Sequence, residues 1–214
     1  MKSYIVIGLG RFGSELAVQL CANGCEVLAM DTRSDLVQQV ADHVTHAVVA
    51  DGTDMAVLKA MDASDFDCAV VAIGDDLSAS VLAVMSLQEL GVEKIICKAQ
   101  NEVHKKVLLK LGVDQVVIPE MEHAARMAKS LAGHNVLDYI ELSAEHGIIE
   151  MPAPESWSAK TLKELNVRAK LGVNIIAVRR NGEITVSPAA DFAVVQGDVL
   201  VILGDNRALE RVQK

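Results

Sequence analysis

The sequence predicts an α/β fold: a Rossmann-type doubly wound parallel sheet followed by a small C-terminal α+β domain. Three observations predict it. The first 120 residues alternate short β-branched runs with amphipathic segments, the period signature of repeated βα units around a parallel sheet. A Gly-x-Gly-x-x-Gly run stands directly after the first of those runs. Beyond about residue 134 the alternation gives way to paired strands.

Taken in order, strands are expected at Tyr4 to Gly8, Glu26 to Met30, His46 to Ala50, Cys68 to Ile73, Lys94 to Lys98 and Gln115 to Ile118, with helices between them. Gly24, Gly91 and Gly112 stand where a helix ends and the chain turns back to a strand, a left-handed position that glycine takes cheaply. Pro119 closes the sixth strand, and Glu120 to Leu131 reads as a crossover helix ending at Gly133. The domains are therefore expected at residues 1–133 and 134–214. In the second, Leu137 to Ser143 pairs with Ile148 to Pro152, and Val173 to Arg179 with Glu183 to Ser187 through Asn181-Gly182, a strong hairpin signal. A last strand, Val199 to Gly204, precedes a short helix from Asn206.

Composition narrows the function. The chain has 214 residues, enough for two domains, and 51% hydrophobic but only 3% aromatic residues, so aliphatic side chains must fill the core. Its formal net charge is -9, and its Lys and Arg residues form no cluster that could track a phosphate backbone, so nucleic acid is not an expected partner. The N-terminus has no leader-like segment, and no apolar run has the length of a membrane span. A soluble, cytoplasmic chain is expected, with any membrane role exerted through a partner. Cys21, Cys25, Cys68 and Cys97 fall in predicted helix or strand interiors and read as buried free thiols.

The chemistry concentrates in Gly8-Leu9-Gly10-Arg11-Phe12-Gly13, between the first strand and the first helix. Gly8 permits the tight turn, Gly10 lets a pyrophosphate approach the backbone, Gly13 lets helix and sheet pack closely, and the helix N-terminus offers unpaired N–H groups. Asp31 ends the second strand, where a carboxylate can accept bonds from two ribose hydroxyls, and Thr32 and Arg33 follow it. Arg33 suits a 2′-phosphate, but the Asp31 carboxylate would repel one. Asp51-Gly52-Thr53-Asp54 and Ile73-Gly74-Asp75-Asp76 follow the third and fourth strands, at strand ends where such sheets place ligands; their Asp residues also suit helix N-caps. Arg11, inside the loop, could reach a terminal phosphate, which favours ATP or ADP over NAD; a solvated arginine on the first turn is the alternative.

Turnover has less support. Hydride transfer needs an acid or base beside the nicotinamide, and Tyr4, Tyr139, His43, His46, His104, His123, His134 and His146 all read as packing or surface groups. No Gly-x-x-x-x-Gly-Lys-Ser/Thr loop is present. The chain therefore reads as a binding protein and not an enzyme. An NAD(H)-binding oxidoreductase or redox sensor stays open as the alternative, as does an adaptor with a vestigial site.

These residues, together with Val71-Ala72-Ile73-Gly74, Lys98-Ala99-Gln100-Asn101, Asn135-Val136-Leu137 and Leu165-Asn166-Val167-Arg168-Ala169-Lys170, resemble the RCK (regulator of potassium conductance) family. The likeness is to the peripheral gating subunits of bacterial Ktr potassium transporters, whose domain Trk subunits share. The resemblance implies ATP or ADP at Gly8, Gly10, Arg11, Gly13, Asp31, Asp51 and Lys98. It also implies homodimers assembling into an octameric ring beneath a membrane-embedded transporter, which ATP and ADP switch between states. Glu120 matches a position that helps hold an activating cation, Mg²⁺ or another; a helix-cap role is the alternative. Arg168, Asn174, Ile175 and Pro188 match positions that bind cyclic di-AMP at a dimer interface, where a dry interface is the alternative. Asp51-Gly52-Thr53 departs mildly from the Asn- or Asp-Ala-Thr of relatives.

Overall fold

A computed structural model describes residues 1–132 and 136–213. Gly133, His134 and Asn135, and with them the expected helix end and domain boundary, lie outside the described residues. By internal contacts the chain divides into Met1–Pro119 and Glu120–Lys214.

The first unit alternates strand and helix throughout: β1 (Ser3–Ile7), α1 (Arg11–Ala22), β2 (Glu26–Asp31), α2 (Ser34–Val40), β3 (His46–Val49), α3 (Met55–Ala60), β4 (Cys68–Val71), α4 (Leu77–Glu89), β5 (Ile95–Lys98), α5 (Glu102–Lys110) and β6 (Gln115–Val117). The six strands are parallel in the order β3-β2-β1-β4-β5-β6. Chain order reverses between β1 and β4, the switch point at which an open α/β sheet places its ligand. Strand alternation sorts the side chains into two cores. Ile5, Ile7, Leu28, Met30, Ala69 and Val71 face Leu58, Leu87 and Leu108, whereas Val6, Val27, Ala29, Cys68 and Val70 face Ala17, Val37 and Val40. A sheet buried on both faces explains why its strands are nearly continuous apolar runs.

The six expected strands are all present. Four end earlier than the sequence suggests: β3 and β6 by one residue each, β1 because Gly8 turns out of it with φ +94°, and β4 because Ala72 and Ile73 leave it to line a cleft. Gly24, Gly91 and Gly112 adopt the expected left-handed conformation. The cysteines need correcting. All four are free, but only Cys68 and Cys97 are buried. Cys21 and Cys25 are half-buried, and Cys25 lies between α1 and β2, where the chain has already left the helix.

The second unit contains most of α6 (Pro119–Ala132), then β7 (Asp138–Glu141), β8 (His146–Pro152), α7 (Leu162–Leu165), α8 (Val167–Leu171), β9 (Asn174–Arg180), β10 (Glu183–Val186), β11 (Val199–Asp205) and α9 (Asn206–Val212). Its sheet is antiparallel in the order β10-β9-β11-β8-β7. The Asn181-Gly182 turn joins β9 to β10 with φ +52° and +89°, the geometry a two-residue hairpin needs. Ser130 of α6 donates from Oγ to the carbonyls of Val136 and Leu137, each at 3.3 Å. These bonds link α6 to the segment that leads into β7. Asp198 is fully buried and held by Arg180 through Nε–Oδ1 at 2.7 Å and Nη2–Oδ2 at 2.8 Å, and Arg180 also lies over the Phe192 ring. Among the described residues no helix is long and apolar enough to cross a membrane.

Candidate functional site

A cleft of about 320 Å³ opens at the carboxyl ends of β1, β2, β3 and β4. Of the residues expected to bind a nucleotide, Gly8, Gly10, Asp31, Thr32, Arg33, Asp51, Gly52, Thr53, Ile73 and Gly74 line it.

The glycine loop has the stereochemistry its motif implies. Gly8 donates its N–H to Met30 O at 2.8 Å. A Cβ at Gly8 would lie 3.0 Å from the Ala72 carbonyl carbon, and one at Gly13 would collide with the Gly8 carbonyl oxygen. The helix can thus start this close to the sheet only with glycine at both positions. Gly10 differs, since a Cβ there meets nothing within 4 Å. It forms the N-cap of α1 in extended conformation, with no side-chain cap, and the first turn carries no acidic residue. The positive end of a 12-residue helix is therefore not offset by a carboxylate of its own, which fits an incoming phosphate.

At the opposite wall, Asp31 accepts the Leu9 N–H on Oδ2 at 2.6 Å and the Arg33 N–H on Oδ1 at 2.9 Å. Each oxygen has a second lone pair, so the carboxylate can still take ribose hydroxyls. Asp51 accepts both the N–H and the hydroxyl of Thr53 on Oδ1, at 2.9 and 2.7 Å, and these bonds hold its carboxyl below the usual range. Asp54 and Asp76 cap α3 and α4, accepting the Ala56 and Ala79 N–H groups. The N-cap role is thus filled at those two, and Asp76 lines the cleft as well. A Cβ at Gly52 would collide with Ile7 Cγ2, so the Asp-Gly-Thr variant of this loop is matched to an isoleucine in β1.

The cationic residues are placed differently from one another. Lys98 Nζ would lie 3.4 Å from a Cβ on Gly74, which sets its ammonium beside a residue lining the cleft. Arg11 is exposed at the start of α1, and neither it nor half-buried Phe12 is among the lining residues. Glu120 is exposed in the first turn of α6. Among the described residues no group of three or more His, Cys, Asp and Glu side chains is placed to hold a metal ion. A cation at Glu120 would therefore need oxygens from another source, such as phosphate. Arg168 is exposed in α8, Asn174 and Ile175 open β9, and Pro188 follows β10. The Ser187 N–H donates to Ile176 O at 2.8 Å, which brings Pro188 alongside the start of β9.

Sequence reading missed the apolar floor, made by Ile7, Met30, Leu36, Ala50, Ala72 and Ala79. Alternation along β1 and β2 pointed to a core, not to the part of it that lines the cleft. No histidine or tyrosine is among the lining residues. His104 is buried, its Nδ1 accepts the Gln100 N–H at 3.4 Å, and burial pushes its imidazole below the ordinary value.

A TrkA-N domain model matches residues 4–119, and a TrkA-C domain model matches residues 147–214. The chain is 44% identical over 213 residues to the Ktr system potassium uptake protein C of Bacillus subtilis (strain 168), spanning 100% of this chain and 96% of that protein. It is 40% identical over 212 residues to the Ktr system potassium uptake protein A of the same organism, spanning 99% and 96%. Among solved structures, the GsuK channel bound to NAD superposes with a TM-score of 0.67 at 18% identity, covering 99% of this chain and 38% of that chain. At that identity the likeness is one of fold.

Proposed function

The chain belongs to the family of TrkA-N and TrkA-C domain proteins, the RCK family, with Ktr potassium uptake proteins among its relatives, and on that premise we propose that it is a regulatory subunit of a potassium uptake system, controlled by adenine nucleotides. The observation that carries the nucleotide part is the cleft. It combines a glycine loop closed to any side chain at Gly8 and Gly13, an α1 N-terminus without its own acid, and Asp31 at the ribose position.

In this reading the α1 N-terminus holds the phosphates, Asp31 accepts the ribose hydroxyls, and the apolar floor around Met30 and Leu36 supports the base. Lys98 supplies positive charge from the β5 side. Arg11 and Glu120 are assigned by family resemblance, Arg11 to the terminal phosphate and Glu120 to a cation such as Mg²⁺. A nucleotide biases a transporter only through a difference in its affinity for two protein states. ATP and ADP differ by one phosphate, so discrimination falls to the cations that can reach it.

The protein would act as homodimers assembled into an octameric ring at the cytoplasmic face of the membrane, held there by a Ktr- or Trk-type transporter subunit. Cyclic di-AMP at Arg168, Asn174, Ile175 and Pro188 is a second regulatory input by the same resemblance. Calorimetric titration of nucleotide-stripped protein with ATP, ADP and NADH, with Mg²⁺ present, tests the ligand. Saturable binding of ATP and ADP, tighter than NADH, is the expected result; preferential NADH binding would favour the redox alternative.

A further inference from the structure

We propose that Asp35 sets which adenine nucleotides the cleft admits, by engaging the Arg33 guanidinium and so excluding ligands that carry a 2′-phosphate. The inference rests on the nucleotide reading above and adds a selection rule to it.

An arginine just after the acidic residue that ends β2 is the group that would receive a 2′-phosphate in a dinucleotide fold. Arg33 stands there and lines the cleft. Its guanidinium is already forked onto one carboxylate, with Nη2 2.6 Å from Asp35 Oδ2 and Nε 3.2 Å from Asp35 Oδ1. This two-point geometry is the one a phosphate would itself require. The Arg33 backbone is fixed as well, through its N–H to Asp31 Oδ1.

The pair is exposed, with 63% and 58% of the two side chains accessible, so its own strength is small. Selection comes instead from the local charge. Two carboxylates, Asp31 and Asp35, flank one guanidinium, and a phosphomonoester arriving at the ribose edge meets net negative charge and a cation already engaged. A free 2′-hydroxyl meets no such penalty and finds in Asp31 an acceptor. Removing the Asp35 charge leaves Asp31 and Arg33 balanced and frees the fork.

The test uses the full chain, stripped of nucleotide, with ADP as the reference ligand. AMP and adenosine 2′,5′-bisphosphate, which differ only in the 2′-phosphate, each compete against bound ADP. The wild type should prefer AMP, and Asp35→Asn should narrow that preference by about two- to fivefold. Asp35→Glu should restore it, and Arg33→Ala combined with Asp35→Asn should abolish the gain in bisphosphate affinity, since the gain passes through Arg33. Asp35→Ser, a second neutral variant, should behave as Asp35→Asn. A wild type that does not distinguish the two ligands, or a preference unmoved in both neutral variants while ADP still binds, would overturn the role of Asp35. Failure of ADP to bind the wild type would instead overturn the nucleotide reading, and this inference with it.

Discussion

Asp31 and Leu9 are joined across the head of the cleft: the carboxylate at the end of β2 accepts the backbone N–H of the glycine loop at 2.6 Å. The group proposed to hold the ribose therefore also holds the loop proposed to receive the phosphates. Asp31→Ala should lower ADP affinity by about 10- to 100-fold and cost about 1 to 2 kcal/mol of stability, because buried Leu9 would lose its acceptor. Calorimetry and urea unfolding on the same variant measure the two effects.

Gly10 and Gly13 should separate folding from binding. A Cβ at Gly13 collides with backbone, whereas one at Gly10 meets nothing within 4 Å. Gly13→Ala should destabilise the first unit by about 1 to 3 kcal/mol. Gly10→Ala should cost under about 1 kcal/mol yet weaken ADP binding, since its methyl group would stand where a phosphate approaches. A Gly10→Ala protein binding ADP as tightly as wild type would place the phosphates elsewhere.

Acid stability should depend on Asp198. Its hydrogen bonds from Arg180 hold its carboxyl below the usual range. A carboxyl depressed in the folded state adds stability that is fully present above the unfolded value, about 3.9, and is lost as pH falls through the lower folded value. Asp198→Asn should cost about 2 kcal/mol near neutral pH. The gap to wild type should shrink on acidification below about pH 4, as chemical unfolding over a pH series will show. A gap that stays constant would mean the ion pair contributes nothing.

Thiol reactivity should divide two and two. Burial pushes the Cys97 thiol up to about 12 and raises that of Cys68, and both are inaccessible, while Cys21 and Cys25 are half-exposed. Iodoacetamide at pH 8 should label Cys21 and Cys25 in the folded chain and reach Cys68 and Cys97 only in denaturant. Peptide mapping by mass spectrometry reads the sites directly.

The parallel sheet was legible because burial on both faces writes unbroken apolar runs, and the hairpin because Asn181-Gly182 meets a strict backbone requirement. Gly8 and Gly13 of the glycine loop were legible for the same reason: backbone geometry leaves no room for a side chain at those positions. Less of the rest could be read. Helices α7 and α8, of four and five residues, are too short to write a helical period. Only the Thr161 and Glu164 capping box marked the first of them. The Arg33–Asp35 fork joins exposed side chains, and no sequence pattern distinguishes a paired arginine from a solvated one. The grouping of α6 depends on tertiary contacts that its own sequence does not record.

Potassium flux into vesicles carrying a reconstituted Ktr-type transporter subunit, with this protein added and ATP or ADP supplied at saturating concentration, tests the central claim most directly. The account predicts protein-dependent flux that differs clearly between ATP and ADP, with the difference reduced in Asp31→Ala. Flux that responds to the protein but is the same with ATP, ADP or neither would contradict control by adenine nucleotides.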